Sequence, residues 1–247
     1  MILSRRHGFV FIKTIKTAST SLEIFLSRLA GPDDVITYLP PPDEALRREL
    51  GASGPQNCMN PGWKRSLLRL AGRSRHDATY FIHHNISATD LRARLGAEWG
   101  RLRRFTVVRD PFDRAISKFF NDHRREAIPR LHQNRPHNDA DINAYIRAMP
   151  DTDLTNWHLY ADGDHIMVTD ILRYERIADD LASLLRDMGI DEPVSLPRAK
   201  GAWRLDRRHY SKILDPATRA RIEHVAAREI EAFGYHWRVP AKAEGVG

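Results

Sequence analysis

Residues 8–26, GFVFIKTIKTASTSLEIFL, constrain this chain more than any other stretch. Residues 8–13 read as a buried strand. In residues 19–30, Leu22, Phe25, Leu26 and Leu29 fall at i, i+3, i+4 and i+7, one face of a helix that Gly31-Pro32 stops. Glu23, near the start of that helix, suits its dipole. Between strand and helix lie Lys16 and five small residues, Thr17, Ala18, Ser19, Thr20 and Ser21. A strand, a short loop and a helix commonly cradle a phosphate. The first N–H groups of the helix lack intrahelical partners and carry the positive end of its dipole. Small side chains let the backbone come close, the hydroxyls add donors, and Lys16 adds a point charge.

The loop contains no glycine. A nucleoside-triphosphate loop reads G-x-x-x-x-G-K-[ST], and only Lys16-Thr17 matches it here. A kinase or nucleotidase would also need a carboxylate at a strand end for magnesium. HIMVTD offers Asp170, and nothing else supports that role.

A second anion site is legible in FTVVRDPFDRAISKFF, 105–120. RFTVVR reads as a strand, which puts Arg109 at its C-terminal end, where open α/β sheets bind ligands. Asp110-Pro111 supplies an N-cap and a proline at the first helical position. Ser117 lies two helical turns beyond Arg109, so both can converge on one anion, the guanidinium in bidentate fashion. Arg114 reads as a partner for Asp110 or Asp113.

Elsewhere, Tyr80–His83 reads as a short strand. Ser87-Ala88-Thr89-Asp90 is a capping box that opens a helix to about Leu95. A helix is expected around Ile142–Met149, a strand or strand pair over 165–175, and helices near 177–188 and 216–232. Residues 32–79 are turn-rich, with one short basic helix around Trp63–Leu70, and 122–140 read as a polar loop. The alternation of strands and helices predicts an α/β fold with a mainly parallel central sheet and helices on both faces.

With 247 residues, 42% of them hydrophobic, the chain suits one domain with its own core, spanning 1–240, with a loose tail at 241–247. Its single cysteine, Cys58, excludes an intramolecular disulfide framework. No apolar run approaches the ~20 residues of a membrane helix, and no secretory signal is evident, so a cytoplasmic location is expected. The net charge of +7 attracts polyanions, whether nucleic acid, acidic glycan or a multiply phosphorylated nucleotide. A non-catalytic nucleic-acid-binding module would explain the charge but not two anion sites at two strand ends, so nucleic acid is not the expected partner. His123, His132, His137 and His158 fit no compact zinc spacing, and no metal is expected.

KTASTS after a strand, followed by VVRDPFDRAIS, resembles the two nucleotide-binding signatures of the sulfotransferases that use 3′-phosphoadenosine 5′-phosphosulfate, PAPS. The resemblance is closer to the carbohydrate-sulfotransferase branch, where the motifs commonly read P-K-T-G-G-T-S and R-[ND]-P-x-x-R-x-x-S. HHNISATDLRARLGAEW, ILRYERIADDLASLLRDMGI and AFGY resemble further family segments in the same order. Residues 32–79 and 122–164 fall outside the pattern as variable, substrate-side insertions.

The resemblance implies a P-loop-like three-layer fold and an enzyme that moves a sulfuryl group from PAPS to an acceptor hydroxyl, in a carbohydrate or glycan, releasing 3′,5′-adenosine bisphosphate. Lys16, Thr17, Ala18, Ser19, Thr20 and Ser21 would hold the 5′-phosphosulfate, and Lys16 would stabilise the leaving phosphate oxygen. Arg109 and Ser117 would hold the 3′-phosphate. Lys200 and Arg204 would lie in a loop over the nucleotide, with Trp203 beside them. The base would be a His after the second strand: His84 matches the family's place better, and His83 stays open. Glu23 is a weaker candidate. Two departures stand out. Ile15 replaces the family's Pro, and Ala18-Ser19 replaces its Gly-Gly, which matters if either position needs a positive φ.

Overall fold

The computed structural model describes residues 1–75, 79–123, 137–197 and 206–240. By its internal packing the chain divides into two compact units, each drawn from two segments. The first comprises residues 1–108 and 158–200, the second 109–157 and 201–247. The main helices are α1 (Ser19–Ser27), α2 (Pro41–Glu49), α3 (Gly62–Leu70), α4 (Ala88–Leu95), α5 (Pro111–Asp122), α6 (Asp139–Ala148), α7 (Ile177–Asp187), α8 (Pro216–Val225) and α9 (Ala227–Phe233).

The strands lie in the first unit: β1 (Ile2–Ser4), β2 (Phe9–Ile12), β3 (Val35–Ile36), β4 (Arg103–Val108), β5 (Ala161–Asp162), β6 (His165–Ile166) and β7 (Asp170–Arg173). Among the described residues, a five-stranded sheet runs in the order β3-β1-β2-β4-β7, and β5 and β6 form a separate ribbon. The expected parallel arrangement holds for β2, β4 and β7. The other half is reversed: β1 runs antiparallel to both β2 and β3. The sequence MIL is too short to announce β1 as a strand. It pairs because a turn ending at Gly8, with φ 67, folds it back on β2.

Phe9, Phe11, Phe105 and Val107 face one side of the sheet, and Val10, Ile12, Thr106 and Val108 alternate with them. All are buried. Burial on both faces is why β2 and β4 read as apolar runs rather than as alternation. Leu22, Phe25 and Leu26 of α1, with Leu181, Leu184 and Leu185 of α7, pack onto Phe9, Phe11, Phe105 and Leu172. Each such side chain contributes about 1.5–3 kcal/mol by leaving water. Across the start of β4 and β7, Arg103 grips Asp170 with two hydrogen bonds of 2.9 and 2.7 Å, so Asp170 is held by a cation.

Three local expectations are corrected. Tyr80–His83 is not a strand of the sheet: Tyr80 makes an isolated antiparallel bridge to Met59, and the Ile82 N–H donates to the Cys58 carbonyl. Residues 32–79 are less irregular than their prolines suggest. Pro41 stands in the first turn of α2, where its missing N–H costs nothing, and Val35-Ile36 adds an edge strand. The expected helix over 216–232 is two helices that meet at Ala226.

In the second unit, α5 presents Phe112, Ile116, Phe119 and Phe120 to a core with Ile142, Ile146, Tyr210, Ile213 and Ile222. Asn143, buried between α6 and the turn before α8, donates to the Ile213 carbonyl at 2.7 Å and accepts from the Asp215 N–H at 2.9 Å. Asp215 caps α8 by accepting from the Thr218 N–H.

Candidate functional site

The loop from β2 to α1 is built from its own hydroxyls. The Thr14 hydroxyl donates to the Val107 carbonyl of β4 at 2.6 Å and lies 2.8 Å from the Thr17 hydroxyl. The Ser19 hydroxyl donates back to the Thr14 carbonyl at 2.6 Å. Thr17 and Ser19 are buried. Their hydroxyls therefore shape the loop rather than serve as free donors to an anion, which narrows the role read for them in the sequence. What the loop offers a phosphate includes its backbone N–H groups and the half-buried Lys16, with Thr20 and Ser21 buried in the first turn of α1.

The backbone explains how. Lys16 has φ 64, and Ala18, at the N-cap of α1, has φ 58 and ψ 15, the left-handed region. Positive φ beside right-handed residues is the pattern from which anion-binding concavities are made. Ala18 has no side-chain cap to offer, so the helix start depends on backbone groups. The left-handed requirement falls on the position where the resembled motif carries glycine, and alanine meets it at a cost of about 1–2 kcal/mol.

Behind the loop lies a cluster that sequence reasoning missed. Glu23 is fully buried within α1. Its carboxylate accepts from Lys13 Nζ at 2.6 Å and from the Thr37 hydroxyl at 2.8 Å. The Met1 amine lies 2.8 Å away and the Arg47 guanidinium 3.4 Å. Arg47 also pairs with Glu44 at 2.9 Å. Burial pushes the Glu23 pKa upward, but the surrounding cations outweigh it and hold the group down at about 2. Burial pushes the Met1 amine down to about 5. Glu23 is thus a fixed anion that positions Lys13, not a proton acceptor. The signal was present in the sequence as a lysine ending an apolar strand, which seldom stays buried without a partner.

His84 is exposed to solvent. Partial desolvation by its surroundings, with Lys13, the Met1 amine and His83 nearby, pushes its pKa down to about 4, against an upward pull from Glu23. The imidazole is neutral at physiological pH and able to accept a proton. The field of Lys13 and Glu23 places His84 in electrostatic reach of the cluster behind the β2–α1 loop. His83 is half-buried, and its carbonyl accepts from the Ile86 N–H. Ser87 then caps α4 as expected, accepting from the Asp90 N–H at 3.1 Å.

In the second unit, Asp110 caps α5 by accepting from the N–H groups of Phe112 and Asp113, with Pro111 in the first turn. Arg109 is nearly buried, and its Nε donates to Asp113 at 2.9 Å. Ser117 is half-buried two turns along the same helix. Arg114 is buried and donates to the Asp153 carbonyl at 3.2 Å. Lys118 pairs with Asp122 at 2.6 Å. His123 and His137 pack around Phe119 and Tyr145, and His158 is exposed. Among the described residues, no three His, Cys, Asp or Glu side chains are placed to hold a metal. Lys200, Trp203, Arg204 and His132 lie outside the described residues.

A protein-family model described as the sulfotransferase family matches residues 1–236. No curated protein and no solved structure matches the chain.

Proposed function

Because the chain belongs to the sulfotransferase family, we propose that it transfers a sulfuryl group from PAPS to an acceptor hydroxyl, in a carbohydrate or glycan. The observation that carries this reading is the β2–α1 loop: a glycine-free turn with left-handed Lys16 and Ala18, opening a buried helix. In the proposed reaction the acceptor oxygen attacks sulfur in line, and the bond from sulfur to the 5′-phosphate oxygen breaks. The acceptor proton passes to neutral His84. The charge on the departing bisphosphate is met by Lys16 and the N–H groups at the start of α1. Arg109 and Ser117 hold the 3′-phosphate, with Asp113 accepting from the Arg109 Nε. The basic surface charge suits an anionic or polyhydroxylated acceptor.

Thermal unfolding with each nucleotide tests the donor. Adenosine 3′,5′-bisphosphate raises the melting temperature by mass action, since it binds the folded state alone. Stabilisation by ATP with magnesium, and none by the bisphosphate, would favour a phosphotransferase and overturn the reading.

A further inference from the structure

Helix α3 has no buried residue along its length. Trp63, Leu67 and Leu70 fall at i, i+4 and i+7 and form one stripe, and they are 68%, 57% and 86% exposed. Lys64 borders the stripe, Arg65 and Arg69 stand on the opposite side of the helix, and Arg73 and Arg75 follow it. No Asp or Glu occurs between Glu49 and Asp77 to offset them. Beside the helix, Arg65, Arg69 and Arg75 line a cavity of about 540 Å³ with Thr79 and Tyr80. Lys64 extends over the Phe81 ring, 5.5 Å from its centre, which ties the inner side of α3 to the 80–82 segment.

A helix of this kind is not built for water: three large apolar side chains gain nothing from exposure. It is too short to span a bilayer. An apolar stripe with an aromatic residue, opposite a face of arginines and lysine, matches a helix that lies in the plane of a membrane interface. We propose that α3 docks this protein on an anionic lipid surface. The Trp63, Leu67 and Leu70 stripe enters the headgroup–acyl boundary, and Lys64, with the long side chains of Arg65 and Arg69, meets the anionic headgroups around it. Charge complementarity selects anionic lipid over a second copy of this chain, whose α3 would bring the same positive charge to the contact. The inference is independent of the donor assignment, because it concerns neither the β2–α1 loop nor α5.

Co-sedimentation of the full chain tests it. Vesicles of phosphatidylcholine alone should leave the protein in solution. Vesicles of equal parts phosphatidylcholine and phosphatidylglycerol should pellet it, and added salt should release it. Arg69→Gln should weaken binding about fivefold, the worth of one cation at an anionic surface. Leu70→Ser should weaken it about tenfold. Both side chains are exposed, so the melting temperature should stay at the wild-type value. Trp63 emission should shift to the blue on binding, a shift that Trp63→Phe removes. Three results would each overturn the proposal: no binding to the mixed vesicles, equal binding by all variants, or a concentration-dependent dimer that Leu70→Ser dissolves.

Discussion

Ala18 is the residue at which local preference and tertiary demand conflict. Its left-handed backbone, φ 58, is one that an L side chain adopts at a cost and glycine adopts freely. Ala18→Gly should therefore raise stability by about 1 kcal/mol, read as a higher denaturant midpoint at unchanged slope. The gain is smaller than the full strain because glycine also loosens the unfolded chain. His84 makes a second residue-scale prediction. Its pKa, pushed from 6.5 to about 4, keeps the ring neutral throughout the range where an ordinary histidine takes up a proton. If it is the base, the acid limb of kcat/KM should fall near pH 4 rather than near 6.5. His84→Ala should remove that limb and slow turnover about 100-fold, with bisphosphate affinity retained. A limb at the ordinary position would assign the proton transfer to another group.

At the scale of the element, caps and anion-binding ends are the same devices. Asp110 joins β4 to α5: it accepts from two N–H groups of the first turn and fixes where Asp113 and Ser117 lie relative to Arg109. Asp110→Ala should cost about 1 kcal/mol of stability, as the loss of an N-cap carboxylate does. It should also weaken binding of the bisphosphate, measured by calorimetry, since α5 would no longer hold its start. Unchanged affinity would detach α5 from the donor. These elements were the most legible in the sequence. Ser87-x-x-Asp90 and Asp110-Pro111 announce their helices through chemistry that acts within three residues, and each helix begins there. Strands were less legible. Ile2–Ser4 and Val35–Ile36 are too short to show a period, and only their pairing makes them strands. Tyr80–His83 has the composition of a strand but finds a single bridge partner.

For the whole molecule, a buried anion ties several segments of the first unit together. Glu23 gathers Lys13 from the end of β2, the Met1 amine from β1 and Arg47 from α2. Glu23→Gln would leave Lys13 and Arg47 without their counter-charge in a buried site. It should cost about 3–5 kcal/mol, seen as a lower denaturant midpoint. The same group sets an acid limit. Its folded pKa of about 2 lies below the ordinary 4.5, so the unfolded chain binds the extra proton between them. Its contribution is complete above about pH 4.5 and is lost as the pH falls toward 2. Glu23→Gln should remove that part of the acid transition.

The sequence by itself determined what neighbours along the chain decide: the strand–loop–helix unit at 8–26, the capped helix after Arg109, and the motif order that marks the family. These depend on hydrophobic period and on hydrogen bonds within a few residues. Only the tertiary structure decided the rest. Glu23 looks like a residue that complements the dipole at a helix start, and it became the centre of a cation cluster because segments 10 to 24 residues away converge on it. The hydroxyls of Thr17 and Ser19 look like phosphate donors, and they were directed to Thr14 because the loop must close against β4. Burial and long-range charge set these outcomes, and neither is a property of a short stretch of sequence.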